Sequence, residues 1–467
     1  MATTTVADVV VDGLARAGAA RIFTADSASS PVPLLQAARR RLPIVSADSG
    51  AVAALMAAVT GELADTPGAV VLADAEEARA GLGYAAASRA PLIALVERSV
   101  GAETASLVKG VVVAEPASAA HWIAHAVQLA VLDPRGPVVV SVARHAATEA
   151  ALPVGTSLRT VVAPPSSEAL DHATRLLVNA AHPVLVVGLE CRTGDAGGWL
   201  RPFVETLPAP ALTTVKGKGV LPDPHPLVLG LVGGDVARSL LDRADLVVAV
   251  GVDAVETVPR PWPIGTPVLH LGRTSHADAL GPMVEVIGDI ALLLEELAPR
   301  LRGRSRADWD VAELDRLKRS ATALARSDGS RPSRVVHIAR ELTPAGTIAA
   351  VGPVAHVETV AAAWPAVGPN ELLIHTELAD FAGAAAAAAA LHLPARPVIC
   401  ITTEPAPALG LLERLALGVA TVMLGPVPGL AAGRIETVVV RDERMLRATL
   451  DRAVQQRRAT FIDASQI

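Results

Sequence analysis

Short apolar runs alternate with amphipathic stretches along the whole chain, and this alternation predicts strands that take turns with helices. The run Val398–Ile401 is uniformly apolar and is entered from Arg396-Pro397, as in a strand buried on both faces. The stretch Val6–Ala17 instead has the spacing of a helix with one apolar face. Regular strand–helix alternation favours parallel, doubly wound sheets, so we predict the α/β class.

The alternation falls into three blocks, which predict three doubly wound parallel-sheet domains at residues 1–162, 167–300 and 331–467. The stretch Ala163–Glu168 (APPSSE) has the composition of a linker between the first two. A charged segment separates the second block from the third. It is helical in its middle and broken by Gly, Ser and Pro at its end, which is typical of a connector.

Composition restricts the packing and the classes of partner. The chain of 467 residues is 51% hydrophobic but only 2% aromatic, so Ala, Val and Leu must fill the cores by close packing. A formal charge of -6 gives no electrostatic reason to expect nucleic acid or an anionic membrane surface as a partner. The two cysteines are far apart in apolar runs, which indicates buried thiols in a reducing compartment.

The most lipid-like stretch, Phe381–Leu393, has only 13 residues and is flanked by Asp380 and Arg396. That is too short to span a bilayer, so it predicts a buried, close-packed helix. The first residues show no basic segment followed by an apolar one, so we expect no signal peptide and a cytoplasmic protein.

The middle block carries the most specific segments: Ala211–Gly233 (ALTTVKGKGVLPDPHPLVLGLVG), Ala244–Gly251 and Val286–Leu297. In this order and spacing they resemble the central domain of acetolactate-synthase-like, thiamine-diphosphate-dependent enzymes. The first block resembles the pyrimidine-binding domain of that family. The third resembles its pyrophosphate-binding domain.

The resemblance implies three α/β domains and dimers in which the cofactor lies between the first domain of one subunit and the third domain of the other. It implies a Glu that hydrogen-bonds the aminopyrimidine, and a Gly-Asp-Gly turn with a downstream Asn-Asn pair that hold Mg²⁺ and the diphosphate. It also implies a homodimer or homotetramer, and leaves room for an active paralogue as partner subunit.

The family's activating Glu falls on Asp48, which keeps a carboxylate but is one methylene shorter. A proton relay needs about 2.6–3.2 Å between heavy atoms, so a carboxylate retracted by about 1.5 Å leaves a gap. Asp48 is therefore a candidate catalytic residue. The alternative, which we favour, is that Asp48 is the N-cap of a helix that begins near Gly50.

The glycine-rich loops of the family's first domain have been replaced here by Thr24–Ser30 and Asp74–Glu77. Two adjacent carboxylates, Glu76 and Glu77, then lie near the expected place of an anionic 2-oxo acid, where like charges oppose binding. The alternative interpretation is a solvated first helical turn, which acidic residues favour.

The candidate cofactor-binding residues are Thr402, Thr403 and Glu404, at the carboxyl end of the predicted strand. Here Thr403-Glu404-Pro405 stands where the family has Gly-Asp-Gly. Pro405 has no N–H and a fixed φ, so it cannot replace a phosphate-binding glycine. Leu424 stands where the Asn-Asn pair is expected and has no ligand oxygen. The resemblance thus implies a turn that has lost its contacts to metal and diphosphate.

The histidines show no metal-binding spacing, and no metal site is predicted. His375 follows the strand-like run ELLI and is a second candidate catalytic residue. We expect it to line the same cleft as Thr402, Thr403 and Glu404. The alternative is that His375 is a structural histidine with hydrogen-bond partners inside the protein, or a histidine on the surface.

Two functional hypotheses follow. The first is a degenerate thiamine-diphosphate-fold protein without bound cofactor, acting as a partner subunit or as a cofactor-independent enzyme on a small-molecule ligand. The second is a divergent carboligase or decarboxylase that uses thiamine diphosphate and Mg²⁺ on a 2-oxo acid such as pyruvate. We favour the first because Pro405 and Leu424 each weaken the metal–diphosphate site independently.

Overall fold

A computed structural model describes residues 4–26, 31–152, 164–256, 258, 266–327, 330–403, 408–425 and 435–467. Within this part of the chain, three six-stranded parallel sheets alternate with helices along the sequence. The α/β prediction with three doubly wound sheets is therefore confirmed.

The first sheet has the strand order β2-β1-β3-β4-β6-β5. Its strands are β1 (Ile22–Ala25), β2 (Ile44–Ala47), β3 (Gly68–Leu72), β4 (Leu92–Val96), β5 (Gly110–Val113) and β6 (Pro137–Ser141). The helices are α1 (Val6–Arg16), α2 (Val32–Arg39), α3 (Gly50–Ala64), α4 (Arg79–Ser88), α5 (Ala102–Ala105), α6 (Ala119–Val131) and α7 (Arg144–Ala147). The central strands β3 and β4 are buried along their whole length, as expected for a sheet covered on both faces.

The second sheet has the order β12-β11-β10-β7-β8-β9. Its strands are β7 (Pro183–Val187), β8 (Ala211–Thr213), β9 (Val228–Leu231), β10 (Leu246–Val250), β11 (Val268–Gly272) and β12 (Val284–Ile287). The helices are α8 (Ser167–Asn179), α9 (Ala196–Thr206), α10 (Asp235–Leu241), α11 (Ala277–Leu280) and α12 (Ile290–Leu301). The chain starts in the middle of this sheet and reverses direction between β7 and β10, which creates a crevice at the carboxyl ends of those strands.

The third sheet has the order β14-β13-β15-β16-β18-β17. Its strands are β13 (Ile348–Val351), β14 (Leu372–Ile374), β15 (Val398–Thr402), β16 (Ala420–Met423), β17 (Glu436–Val439) and β18 (Thr460–Asp463). The remaining helices are α13 (Val311–Ser327), α14 (Arg331–Leu342), α15 (Val357–Ala362), α16 (Phe381–His392), α17 (Ala408–Arg414) and α18 (Glu443–Gln456).

The contacts divide the chain into two compact units, and these cut across the three predicted blocks. The first unit contains Met1–Thr160, Ala349–Pro353 and Glu377–Ile467, and the second contains Val161–Ile348 and Val354–Thr376. The first sheet and most of the last hundred residues thus pack together. The boundaries 1–162, 167–300 and 331–467 stay a prediction.

Three helices of the first unit pack closely through small side chains. The buried face of α16 consists largely of alanine, and that of α3 combines alanine and glycine with larger apolar side chains. Residues 381–389 of α16 are all buried. Tyr84 of α4 packs against Phe381 with tilted rings whose centroids are 4.9 Å apart, and its hydroxyl donates to Glu62 of α3 at 2.5 Å. The predicted buried helix at 381–393 is confirmed, and its burial requires no second subunit because α3 and α16 pack within the chain.

The charged segment predicted as a connector is not a free linker. It contains α13, which belongs to the second unit. Trp309 is 7% exposed, packs in the same core as Leu314, and donates its indole N–H to the Pro183 carbonyl at 2.9 Å. Composition missed this because two buried apolar residues are sufficient to attach a helix that is otherwise charged.

Each unit holds one buried cysteine, Cys191 after β7 and Cys400 in β15, and neither is in a disulfide. Burial raises the pKa of both thiols, that of Cys400 to about 12. Separately, no helix among the described residues combines the length and the apolar character needed to cross a bilayer.

We predict that Gly81→Ala destabilises the protein. A Cβ at Gly81 would lie 2.3 Å from the carbonyl carbon of Ala54, so α4 would have to move away from α3. We expect a loss of about 1–3 kcal/mol in the free energy of unfolding, measured by urea denaturation. Gly83→Ala in the same helix meets no atom within 4 Å and should gain up to about 1 kcal/mol from helix propensity. Equal denaturation midpoints for the two variants would contradict this packing.

Candidate functional site

The carboxyl end of β15 places two of the predicted cofactor-binding residues. Thr402 is 1% exposed, and its carbonyl accepts from the N–H of Leu424 at 2.8 Å. Thr403 follows the strand, and its hydroxyl donates to the Pro353 carbonyl at 2.7 Å. Glu404 and Pro405 lie outside the described residues. The hydroxyl of Thr403 thus already has a protein partner at the edge where a diphosphate is expected.

Leu424 occupies the matching point after β16, the neighbouring strand of β15. Its side chain is 4% exposed and belongs to the core. The residue that stands for the metal-binding Asn-Asn pair therefore supplies an apolar side chain directed into the protein.

Asp48 lies in the turn between β2 and α3, but it is not the helix cap. The N-cap of α3 is Ser49, whose hydroxyl accepts from the N–H of Val52 at 3.2 Å. The interpretation of Asp48 as the N-cap is wrong because the helix begins directly after Ser49. The Asp48 carboxylate is left for another partner.

That partner is Arg414, the last residue of α17. Its guanidinium forms an ion pair with the Asp48 carboxylate and donates to the Ser46 carbonyl at 3.1 Å. The Asp48 side chain is 34% exposed and that of Arg414 43%, so water reaches both groups. The resemblance implies that the first and third domains of two different subunits meet across the cofactor. Here the Asp of the first block is paired within one chain.

The acidic loop after β3 has the form expected of a helical start. Glu76 and Glu77 open a short 3₁₀ turn that leads into α4, and Glu76 accepts from the Thr104 hydroxyl at 2.5 Å. Glu76 is exposed and Glu77 half-buried. Burial and the neighbouring Asp74 raise the pKa of Glu77 above its usual value. The solvated-turn interpretation describes Glu76, while Glu77 adds a partly desolvated acid to this edge.

His375 follows β14 and is half-buried, and its carbonyl accepts from the N–H of Val354 at 3.3 Å. It belongs to the second compact unit, whereas Asp48, Thr402 and Thr403 belong to the first. A catalytic role for His375 stays a prediction.

Mg²⁺ takes six oxygen ligands in near-octahedral geometry. At this cleft the side chain of Leu424 has no oxygen to offer, while the Thr403 hydroxyl donates to a carbonyl and keeps its lone pairs. Glu404 lies outside the described residues. Among the described residues, the one grouping of three or more His, Cys, Asp or Glu suited to a metal lies in the second sheet, not here.

Arg414 is the residue of the cleft that sequence reasoning missed. It is separated from Asp48 by 366 positions, and nothing in the pattern of α17 marks it as functional. Only the packing of the first sheet with the third brings the two charges together.

Comparison with known proteins finds a similarity in the middle of the chain. Residues 170–297 match the family described as thiamine pyrophosphate enzyme, central domain. Curated relatives that align with the chain are acetolactate synthases. In this middle part the chain is similar to thiamine-pyrophosphate enzymes of the acetolactate synthase type.

Two relatives show the extent of the similarity. The chain is 29% identical over 244 residues to acetolactate synthase 1 of Zea mays, a match that covers 46% of this chain and 37% of the relative. It is 32% identical over 164 residues to the acetolactate synthase large subunit of Mycobacterium tuberculosis, covering 31% of this chain and 26% of the relative. The aligned part thus spans well under half the length of these family members.

The family match to residues 170–297 does not include either half of the cleft. Asp48 lies before the matched residues, and Thr402, Thr403 and Arg414 lie after them. The similarity in residues 170–297 therefore says nothing of the residues that line the cleft.

We predict weak coupling between Asp48 and Arg414. Because both side chains are partly exposed, a double-mutant cycle of Asp48→Asn and Arg414→Gln should give about 0.2–1 kcal/mol, measured by urea denaturation. Raising the ionic strength to about 1 M, where the Debye length is near 3 Å, should reduce this energy. A coupling above about 2 kcal/mol that does not respond to salt would show that the pair is desolvated.

Proposed function

We propose that this chain, which is similar to acetolactate synthases, does not assemble a thiamine diphosphate–Mg²⁺ site and acts as a non-catalytic partner subunit of an active relative. The observation that carries the proposal is the ion pair of Asp48 with Arg414 within one chain. The carboxylate that stands in the family's activating position already has a cationic partner.

The pyrimidine half of the site supports the proposal through length and charge. Asp48 is one methylene shorter than the Glu it replaces, and its carboxylate would have to leave Arg414 to hydrogen-bond an aminopyrimidine. Even then, the shorter side chain does not reach as far, and proton relays are sensitive to that distance.

The diphosphate half supports it through missing ligands. After β15 the hydroxyl of Thr403 is directed to the Pro353 carbonyl, and after β16 the side chain of Leu424 is buried. Of these two described residues, Leu424 supplies Mg²⁺ with no oxygen ligand and Thr403 already uses its hydroxyl proton within the protein. The two halves fail for separate physical reasons, so restoring one does not restore the site.

A second candidate is the family's ordinary role, a carboligase that uses thiamine diphosphate on a 2-oxo acid such as pyruvate. It is favoured by the names of the aligned relatives, which are acetolactate synthases from plants and mycobacteria. In that case Asp48 keeps the activating role and Arg414 must move away from it.

We predict that thiamine diphosphate with Mg²⁺ gives no binding tighter than about 100 μM, or -5.5 kcal/mol, in calorimetric titration of the purified chain. Arg414→Ala should not create binding, since Leu424 and the short Asp48 remain. Arg447→Ala is the matched control, because Arg447 pairs with Glu443 on an exposed face of α18.

Two outcomes would contradict the proposal. Binding to the unaltered chain, with pyruvate consumption that Asp48→Ala abolishes, would establish the carboligase. Binding that appears only in Arg414→Ala would show a site closed by this arginine, not one that has been lost.

We predict that the chain forms a mixed complex with a catalytically active acetolactate synthase of the same organism. Light scattering on an equimolar mixture at micromolar concentration should give a mass above that of either protein alone. Two separate species over the whole concentration range would exclude the partner-subunit role.

A further inference from the structure

Three polar side chains follow three adjacent strands of the second sheet. Glu190 comes after β7, Asp253 after β10 and His276 after β11. Because these strands are parallel and adjacent, their carboxyl ends meet at one edge. This edge includes the point where the strand order reverses, which is where doubly wound sheets bind ligands.

The three side chains converge on one point. Glu190 Oε1 lies 3.4 Å and Asp253 Oδ2 3.7 Å from His276 Nε2. One ligand atom from each residue falls within 4.8 Å of the others, and all three residues are buried. Bonds of about 2.0–2.2 Å to one ion place ligand atoms up to about 4.4 Å apart, so small side-chain adjustments would enclose a metal.

Backbone N–H groups fix the direction of both carboxylates. Glu190 Oε2 accepts from the N–H of Arg273 at 2.7 Å, and Asp253 Oδ1 accepts from the N–H of Val255 at 2.9 Å. The second oxygen of each carboxylate therefore faces His276. The hydroxyl of Thr274 lies 2.9 Å from both Glu190 Oε1 and His276 Nε2 and adds a further oxygen at the same point.

A second histidine points independently to a ligand. His270 is fully buried, its Nδ1 lies 2.9 Å from Glu285 Oε1, and its Nε2 has no hydrogen-bond partner. Glu285 also accepts from the Ser275 hydroxyl at 2.7 Å and from the His276 N–H at 2.9 Å.

The unpartnered nitrogen of His270 lies near Glu190, with Gly272 beside both. A Cβ built on Gly272 would lie 2.5 Å from His270 Nε2 and 3.1 Å from Glu190 Oε2, so both atoms border the same small space. The rings of His270 and His276 are 5.6 Å apart between centroids. A histidine whose other nitrogen is held by a carboxylate is the usual arrangement around a bound metal.

Three carboxylates lie at this edge, which favours a cation over an anion as the ligand. The third is Glu256, which accepts from the N–H of Asp253 at 3.0 Å. Arg273 donates to the Thr193 carbonyl at 3.0 Å and Arg192 to Asn370 at 3.1 Å.

We propose that Glu190, Asp253 and His276 form a binding site for one divalent transition-metal ion, with His270 beside it. An imidazole with two carboxylates suits Zn²⁺, Fe²⁺ or Co²⁺ better than Mg²⁺ or Ca²⁺, which prefer oxygen alone. Glu285 is a positioning residue, since it holds His270 through Nδ1 and His276 through its N–H at 2.9 Å. The ion would join the loops after β7, β10 and β11. The inference does not depend on the proposed function.

The test uses the whole chain after treatment with a chelator and dialysis. Calorimetry with Zn²⁺ should give one equivalent per chain with a dissociation constant below about 1 μM, and the thermal midpoint should rise on loading. Co²⁺ should give visible d–d absorption without a thiolate charge-transfer band, because the proposed ligands are carboxylates and an imidazole. No Zn²⁺ binding to the unaltered chain would overturn the proposal without reference to any variant.

The variants locate the site. His276→Gln and Glu190→Gln should each weaken Zn²⁺ binding at least tenfold, and Glu285→Gln should weaken it by about 10–100-fold through loss of orientation. His182→Gln is the matched control, since His182 precedes β7 at the opposite edge of the same sheet. Far-UV circular dichroism confirms that each variant is folded. Unchanged affinity in folded His276→Gln and Glu190→Gln, or an equal loss in His182→Gln, would place the ion elsewhere and overturn the proposal.

Discussion

Close packing of α3 against α4 and α16 is the contact on which the first unit depends. Alanine and glycine on these helices let the backbones approach closely, and this joins the first sheet to the third within one chain. Asp48 comes shortly before α3, and Arg414 is the last residue of α17. Both α3 and α17 pack on α16. The ion pair of Asp48 with Arg414 is thus a consequence of small side chains elsewhere, not of any strong attraction between the two residues.

The same packing determines which groups the residues of the cleft contact. In the arrangement that the resemblance implies, the activating carboxylate faces the cofactor, which lies between two subunits. In this chain the carboxylate meets a guanidinium and the neighbouring strand ends carry a buried leucine and a committed hydroxyl. The strands and helices of the scaffold form independently of the residues that line these turns.

The sequence was a good guide to elements and a poor one to side-chain partners. Uniformly apolar runs such as Val398–Ile401 identify buried strands because a strand covered on both faces has no polar position. The choice between Asp48 and Ser49 as helix cap depends on one residue of register, which composition does not resolve. The attachment of Trp309, and the pairing of Asp48 with Arg414, depend on contacts between distant segments. The Glu190–Asp253–His276 cluster is also distant in sequence, although each member follows a strand that the pattern did predict.

The two cysteines give each compact unit its own chemical reporter. Cys191 is buried in the second unit and Cys400 in the first, and burial keeps both as unreactive thiols while the structure is closed. An alkylating reagent can therefore modify each one only when its own sheet opens. The rate of labelling at each position would measure the local opening of that unit in a single native protein without introduced probes.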